Sequence, residues 1–252
     1  MSEGGMERLR GKAALVTGAS SGLGKATAIA LAAAGADVGL VARSEKDLRG
    51  VEAEISGAGG RALPLPTDLA SAEQTFAAVE AAVGEFGRLD ILVNAAGTDA
   101  PGAVADLDVE GWDRTLDVNL RAPYLLSGAA FPHMREAGSG LILNVSSVAG
   151  KKGWANAAAY CASKFGLTGL TESLADEGRE HGIRACIIYP GAMATNWGVW
   201  NPEDRKDESG EEAASGALPP SQVADFIVWL AAAPPGFVLT EGIIVPVEEG
   251  LP

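Results

Sequence analysis

Segments with the apolar pattern of buried strands alternate with helix-like segments along the whole sequence. Strands that are connected through helices pair in parallel by right-handed crossovers. The alternation therefore predicts an α/β fold, in which a doubly wound sheet of about seven parallel strands has helices on both faces. The predicted strands are 12–17, 37–42, 61–66, 90–94, 140–145, 183–189 and 242–247. Six helices are predicted. The first ends near residue 34, and the others span 45–57, 72–86, 109–135, 157–180 and 221–232.

The composition limits the partners that such a fold can have. No linker-like shift divides the 252 residues, so we expect a single domain over 1–252. The formal net charge of −14 repels the phosphates of nucleic acids and the anionic surface of membranes. No apolar run reaches transmembrane length, and the first ten residues contain no apolar signal core. We therefore expect a cytoplasmic protein without a nucleic-acid or membrane partner, whose Cys161 and Cys186 are reduced thiols.

The first predicted strand is followed by a glycine-rich turn, TGASSGLG at 17–24. Glycine lets the backbone approach a pyrophosphate closely, and the N-terminus of the next helix offers N–H groups to the phosphates. The spacing G-x-x-x-G-x-G differs from the commoner G-x-G-x-x-G, and a simple tight turn is the alternative. The position after the first strand favours a Rossmann-like nucleotide site. Its expected members are Gly18, Ser20, Ser21, Gly22, Leu23 and Gly24.

The end of the second predicted strand is expected to distinguish NADP(H) from NAD(H). A carboxylate there would hold the ribose 2′-hydroxyl of NAD, but the sequence has Ala42 and Arg43. Arg43 can hold a 2′-phosphate by charge-assisted hydrogen bonds, and Ser44 follows it. We predict NADP(H) as the cofactor. NAD(H) is the alternative if Arg43 is only a solvated residue at the end of a strand.

Tyr160 and Lys164 lie four residues apart in a helix-compatible run, which puts both on one helix face. A neighbouring ammonium favours the phenolate, so we expect Lys164 to lower the pKa of Tyr160. Such a pair can deliver a proton to a carbonyl oxygen while a hydride reaches the carbon. Ser147, in the loop after the strand LILNVS, is expected to hold the same oxygen. The alternatives are an ordinary helix face and a serine that closes a turn.

These motifs occur together and in order over nearly the whole chain. They are TGASSGLG at 17–24, TDL at 67–69, NAAG at 94–97, DVNL at 117–120, NVSSVAG at 144–150, YCASK at 160–164 and PGAMAT at 190–195. In this order of motifs the chain resembles the short-chain dehydrogenase/reductase family, in the single-domain branch that includes the β-ketoacyl carrier-protein reductases. Three positions depart from the family pattern: Ala95 replaces a second asparagine, Met193 a small aliphatic residue, and Glu248-Glu249-Gly250 a Gly-Gly pair.

The resemblance implies a role for each matched residue. Tyr160 resembles the general acid–base, Lys164 the residue that binds the nicotinamide ribose, and Ser147 the donor to the substrate oxygen. Asn119 resembles the residue that holds a proton-relay water in a bent helix. Pro123 supports the bend because it lacks the N–H that would bond the carbonyl of Asn119. The other residues implied around the cofactor are Asp68, Leu69, Asn94, Ala95, Gly97, Pro190, Gly191 and Thr195, and no metal ligand is assigned.

The segment from about 192 to 220 is predicted to form a lid over a small-molecule carbonyl or alcohol substrate. Met193, Trp197 and Trp200 make its first half apolar, whereas its second half is charged. Such a lid favours NADPH-dependent reduction of a hydrophobic ketone or a 3-oxoacyl group, unless the tryptophans only anchor the loop. The other interpretations are an NAD-dependent alcohol, polyol or sugar dehydrogenase and a non-catalytic NADP-sensing or scaffold protein.

The predicted helix 109–135 carries two apolar stripes. Trp112, Leu116 and Leu120 form one, and Val118, Leu125 and Ala129 form the other. A helix with more than one apolar stripe usually buries more than one face. The resemblance implies that this helix and the helix of Tyr160 pair across two-fold axes, so a homotetramer is predicted. The alternative is that both faces are filled within the monomer.

Overall fold

The computed structural model describes residues 8–195 and 216–247. Within them, seven strands form one parallel sheet in the order β3-β2-β1-β4-β5-β6-β7. The strands are β1 (Ala13–Thr17), β2 (Asp37–Ala42), β3 (Arg61–Pro66), β4 (Ile91–Asn94), β5 (Gly140–Val145), β6 (Ile183–Pro190) and β7 (Glu241–Ile244). The predicted parallel α/β fold is confirmed, and each strand lies where the sequence placed it, to within three residues at either end.

Helices cover both faces of the sheet. They are α1 (Gly22–Ala33), α2 (Glu45–Gly57), α3 (Ala72–Phe86), α4 (Val109–Leu116), α5 (Ala122–Ala137), α6 (Ala158–Gly178) and α7 (Pro220–Ala231). Apolar residues of α1, α2 and α7 form a core with one face, and those of α3, α5 and α6 form a core with the other. Within the described residues, no helix combines the length and the apolar character that crossing a bilayer requires.

The helix predicted over 109–135 is divided in the structure. A π-helical segment, Asp117–Arg121, separates α4 from α5, and the Ala122 N–H bonds the carbonyl of Asp117. The physical reason lies at Pro123, which has no N–H to continue the regular ladder to Asn119. The expected irregularity is therefore present, and it takes the form of a widened turn around Asn119.

The strand order reverses between β1 and β4, because the chain runs outward from β1 to β3 and returns to the other side of β1. In doubly wound sheets the ligand crevice lies at this reversal, beyond the carboxyl ends of the strands. The glycine-rich turn, the loop after β4, the Ser147 loop after β5 and the segment after β6 all start at that edge. The fold thus brings motifs that are far apart in the sequence to one cleft.

At the amino ends of the strands, opposite the cleft, a buried carboxylate joins β1 to the loop before β4. Asp90, whose side chain is 7% exposed, accepts hydrogen bonds from Arg88 (2.6 Å from both Nε and Nη2), Lys12 (2.9 Å) and the Ala13 N–H (3.0 Å). These contacts connect the loop before β4 to the start of β1. They stabilise the two strands on which the cleft is built.

Candidate active site

The glycine turn forms a tight cradle between β1 and α1. Gly18 and Gly22 have positive φ angles of 69° and 55°, which glycine adopts without strain. A Cβ atom on Gly24 would collide with the backbone carbonyl of Gly18 and would lie 2.8 Å from the Thr17 oxygen. Only glycine therefore lets α1 begin this close to the end of β1.

The cradle fits the pyrophosphate of a dinucleotide. A Cβ atom on Gly18 would lie 3.0 Å from the Cα of Ala96, so glycine keeps the cleft open toward the loop after β4. Thr17 fixes that loop, because its Oγ1 accepts hydrogen bonds from the N–H groups of Ala95 and Ala96, both at 3.0 Å. The Ser21 side chain does not cap the first turn of α1, whereas Ser44 caps α2. The arrangement leaves α1 suited to anion binding by its N-terminus.

The residues expected around the adenosine half lie at the ends of β2 and β3. Arg43 is exposed, and Ser44 accepts a hydrogen bond from the Asp47 N–H. Asp68 is exposed and accepts one from the Ala70 N–H, and Leu69 beside it is buried. These positions face the edge where a nucleotide would lie, and no carboxylate occupies the position of Arg43.

Ser147, Tyr160 and Lys164 come together at the carboxyl end of β5. Ser147 accepts a hydrogen bond from the Ala149 N–H at 3.2 Å, and it lies near enough to Tyr160 to favour the phenolate and so oppose the rise of the phenol pKa. Lys164 is 3% exposed, and its Nζ donates to the Val145 carbonyl at 2.9 Å. The same Nζ lies 5.6 Å from the centre of the Tyr160 ring. The sequence prediction that these three side chains share a site agrees with this geometry.

The prediction that Lys164 lowers the pKa of Tyr160 is wrong. Burial raises the pKa of Tyr160 to about 12, because the phenolate would lose its water; the hydrogen bond from Ser147 opposes the shift, and the charge of Asp99 adds to it. Burial also lowers the pKa of Lys164 to about 8. The ammonium is directed to the Val145 carbonyl instead of the phenol oxygen. Tyr160 is therefore a protonated phenol at neutral pH.

Two asparagines that the resemblance assigned to the site connect the structural elements around it by hydrogen bonds. Asn119 is fully buried; its Nδ2 donates to the Thr98 carbonyl (2.8 Å) and the Ser163 hydroxyl (3.0 Å), and its Oδ1 accepts from the Thr98 N–H (2.8 Å). Asn94 is also buried and donates to Asn144 at 2.8 Å. Asn119 thus fixes the loop after β4 to the helix of Tyr160, and Asn94 joins β4 to β5.

Sequence reasoning missed Asp99 and the Thr98–Asn119 clamp. Asp99 lies two residues after the NAAG motif, in the loop after β4, and is half-buried. The available signal was its position: polar residues just beyond the carboxyl end of a strand at the reversal line the ligand crevice. The contact between the loop and α6 could not be seen in the spacing, because it joins residues that are 21 or more apart.

The two ends of the predicted lid lie together. β6 ends at Pro190, and the Gly191 N–H bonds the Ile244 carbonyl at 2.8 Å. Met193 pairs with Leu218 in an isolated β-bridge, in which the Ala194 N–H bonds the Leu218 carbonyl at 2.9 Å. Thr195 closes this short turn with a backbone bond to Met193. Trp197 and Trp200 lie outside the described residues.

Comparison with known proteins agrees with this geometry. Residues 12–206 match the short chain dehydrogenase family. The chain is 40% identical to the short-chain reductase protein NovJ of Streptomyces niveus (95% of this chain and 93% of that one) and 37% identical to a D-threitol dehydrogenase of Mycolicibacterium smegmatis (89% and 87%). A metagenomic short-chain oxidoreductase, solved in complex with NADP, superposes with a TM-score of 0.83 at 37% identity, covering 96% of this chain and all of that one. The chain is therefore a member of the short-chain dehydrogenase family of oxidoreductases, which act on hydroxyl and carbonyl groups.

Proposed function

We propose that the protein uses NADP(H) to interconvert a carbonyl group and an alcohol, and that it acts as a ketone or 3-oxoacyl reductase. The buried, protonated phenol of Tyr160, with the Nζ of Lys164 5.6 Å from its ring centre and Ser147 nearby, carries this proposal. A phenol that keeps its proton at neutral pH is an acid, and carbonyl reduction needs an acid beside the oxygen.

Each side chain of the site has a step in the proposed reaction. A nicotinamide, when bound, supplies the hydride that reaches the carbonyl carbon. Tyr160 gives its hydroxyl proton to the carbonyl oxygen, so that the product is the alcohol. Ser147 donates a hydrogen bond to the same oxygen and stabilises its developing charge. Lys164, a buried cation, stabilises the phenolate that remains on Tyr160 and holds the nicotinamide ribose.

Arg43 supports the preference for NADP(H). It is exposed at the end of β2, where its guanidinium can form charge-assisted hydrogen bonds with a 2′-phosphate. A relative of known structure was solved with NADP. NAD(H) remains the second candidate cofactor, since the pyrophosphate cradle does not depend on the 2′ position.

The Arg43→Ala variant tests the cofactor assignment. We expect the Kd for NADPH to rise about 10- to 150-fold, the equivalent of roughly 1.5–3 kcal/mol, while the Kd for NADH changes little. Lys46→Ala is the matched control, because it removes one exposed positive charge from the next helix. An equal loss of affinity for both cofactors in Arg43→Ala would contradict the assignment.

Oxidation of a polyol is the second candidate reaction. One relative is a D-threitol dehydrogenase, and the charge of the half-buried Asp99 adds to the rise of the Tyr160 pKa. A panel of aliphatic and aromatic ketones, keto esters, acetoacetyl thioesters, polyols and sugars, assayed with NADPH, NADH, NADP⁺ and NAD⁺, separates the candidates. Fast reduction of ketones supports the first, and faster oxidation of polyols supports the second. Cofactor binding without turnover of any member would support a sensing or scaffold role instead.

We propose that the segment from about 192 to 220 is the substrate lid of this single domain. Its two ends meet at the Met193–Leu218 bridge, so it leaves the body and returns at one place beside the cleft. Loops of this kind close over active sites and exclude water. Met193 is half-buried at its base and packs against the core that contains α1 and α7.

A homotetramer is the proposed assembly. The two stripes along α4, the π-helical segment and α5 stay partly exposed in the protomer. Their members, all intermediate in burial, are Trp112, Leu116, Val118, Leu120, Leu125 and Ala129. A surface groove between these helices and α6 combines Leu116, Leu120, Tyr124 and Leu170 with three charged residues, Asp113, Asp117 and Arg121. The partly exposed apolar residues of the two stripes and of this groove favour pairing with a second copy.

Light scattering at micromolar concentration measures the assembly directly. We expect about four times the protomer mass of 25.6 kDa. Tyr124→Glu replaces an aromatic ring of the groove by a negative charge near Asp113 and Asp117, and it should shift the mass toward dimer or monomer. A monomeric wild-type protein would contradict the proposal.

A further inference from the structure

Lys151 ends the short turn that carries Ser147. Ser147 comes directly before a 3-10 turn, Val148–Gly150, and Lys151 comes directly after it. The Gly150 N–H bonds the Ser147 carbonyl at 2.8 Å, which closes the turn on itself. This segment, residues 147–151, is the Ser147 turn. Because it is short and closed, a displacement of its last residue also displaces the Ser147 hydroxyl.

The sheet and α6 limit the movement of the Ser147 turn in one direction. Ahead of the turn, the Ser146 N–H bonds a carbonyl of β6 at 2.8 Å. A Cβ atom on Gly150 would lie 3.0 Å from the Lys164 carbonyl oxygen and 3.1 Å from the ring of Tyr189. The turn therefore rests on α6 and on a fully buried ring, which keep it from moving inward. These contacts do not keep the end of the turn from moving outward.

The side chain of Lys151 holds that end of the turn to the sheet. Its Nζ bonds Oε2 of Glu241, the first residue of β7, at 2.6 Å, and lies 4.4 Å from the centre of the Tyr189 ring. The Tyr189 hydroxyl donates to the same carboxylate oxygen at 3.4 Å. The ammonium is therefore fixed by a carboxylate and by an aromatic face, which belong to the paired strands β7 and β6.

The same group of side chains reaches the backbone of Lys164. The Tyr189 hydroxyl lies 3.2 Å from Oγ1 of Thr168, and this Oγ1 donates to the Lys164 carbonyl at 3.2 Å. The Lys164 carbonyl is also the one that Gly150 approaches. The Ser147 turn and α6 are thus held against one another through Tyr189.

We propose that Lys151, held by Glu241, is a positioning residue that keeps the Ser147 hydroxyl where it and the Tyr160 hydroxyl can bond one substrate oxygen. The inference rests on the proposed role of Ser147 and adds the residues that hold it in place. The ion pair is partly exposed, with 29% of the Lys151 side chain and 49% of the Glu241 side chain accessible, so it contributes little to stability. A catalytic group that is displaced by about 1 Å, in contrast, can slow a reaction about 100-fold. Loss of the pair should therefore slow the chemical step and leave the fold intact.

A double-mutant cycle between Lys151→Met and Ser147→Ala tests the inference. The measurement is the single-turnover rate of NADPH oxidation with a slow ketone, together with the Kd for NADPH. Lys151→Met should reduce the rate about 10-fold or more and change the Kd less than about twofold. Ser147→Ala should reduce the rate about 100-fold or more. In the Ser147→Ala background, Lys151→Met should cost less than about twofold, because the hydroxyl that it positions is gone.

Glu241→Gln removes the same ion pair from the other side and should reproduce the loss, whereas Lys151→Arg keeps a cation for Glu241 and should recover most of the rate. Lys152→Met is the matched control, since the exposed Lys152 forms no ion pair with any residue that the structure describes. Thermal unfolding checks that each variant is folded. A wild-type rate in Lys151→Met, an equal loss with and without Ser147, or a parallel loss of NADPH affinity overturns the inference while the proposed function stands. A wild-type rate in Ser147→Ala contradicts the proposed role of Ser147, and the inference fails with it.

Discussion

Tyr160→Phe is expected to reduce kcat about 100-fold or more and to leave NADPH binding close to that of the wild type. The substitution removes the phenol hydroxyl near Ser147 and leaves the buried ring in place. The proton that the carbonyl oxygen needs must then come from water, a weaker acid than the positioned phenol. The measurement is single-turnover oxidation of NADPH with a slow ketone, for which the chemical step limits the rate, together with a fluorescence titration of NADPH.

The control for this variant is Tyr124→Phe, which removes an equivalent hydroxyl from a ring on α5 that is exposed in the protomer. Light scattering checks that this conservative change leaves the assembly as in the wild type. It should leave the single-turnover rate within about twofold of the wild type. If Tyr160→Phe retains the wild-type rate, the acid–base assignment is wrong. If instead it loses NADPH affinity in parallel with turnover, the hydroxyl acts in cofactor binding and its role as the acid is not supported.

The positions of the strands were predictable, because each strand is marked in the sequence by its own run of apolar residues. Parallel strands buried on both faces are continuous apolar runs, and β2, β3 and β5 have the predicted ends. The helix around Asn119 was predicted as one element, since apolar periodicity continues through it. Its division into α4, a π segment and α5 depends on how the ladder adjusts ahead of Pro123, which the pattern does not specify.

The site was predictable to the extent that its chemistry is carried by short motifs. The glycine turn and the grouping of Ser147, Tyr160 and Lys164 follow from spacing and from the edge of the sheet on which each loop begins. The direction of the Tyr160 pKa was not predictable, because it depends on burial and on the Val145 carbonyl that binds the ammonium. Asp99 was missed for the same reason: its partial burial, and the effect of its charge on Tyr160 about 60 residues farther along, arise only in the folded structure.

Asp90→Ala is expected to lower the free energy of unfolding by about 2–4 kcal/mol at pH 7, or roughly 30- to 1000-fold in the unfolding equilibrium. The side chain is buried and accepts bonds from Arg88, Lys12 and the Ala13 N–H. Without it, the buried Ala13 N–H loses its acceptor. The cost lies below that of a fully buried ion pair, because Arg88 and Lys12 remain partly exposed to water.

The loss should depend on pH in a defined direction. Burial alone would raise the pKa of Asp90, but the hydrogen bonds from Arg88, Ala13 and Lys12 outweigh it, so the pKa lies below its ordinary value. A carboxyl whose pKa is lowered in the folded state stabilises the fold above its unfolded pKa, which is about 3.9 for Asp, and this stabilisation is lost as the pH falls through the folded pKa. The difference between the wild type and Asp90→Ala should therefore be constant from pH 5 to 7 and should shrink below about pH 4.

Urea unfolding at a fixed protein concentration, measured from pH 3.5 to 7, checks both the size and the direction. Asp37→Ala is the matched control, because Asp37 forms an exposed ion pair with Arg61 at 3.1 Å. Exposed pairs contribute about 0–1 kcal/mol, so the control should lose no more than that. Equal losses in the two variants, or a difference that grows as the pH falls, would show that the Asp90 carboxylate does not stabilise the join between β1 and β4.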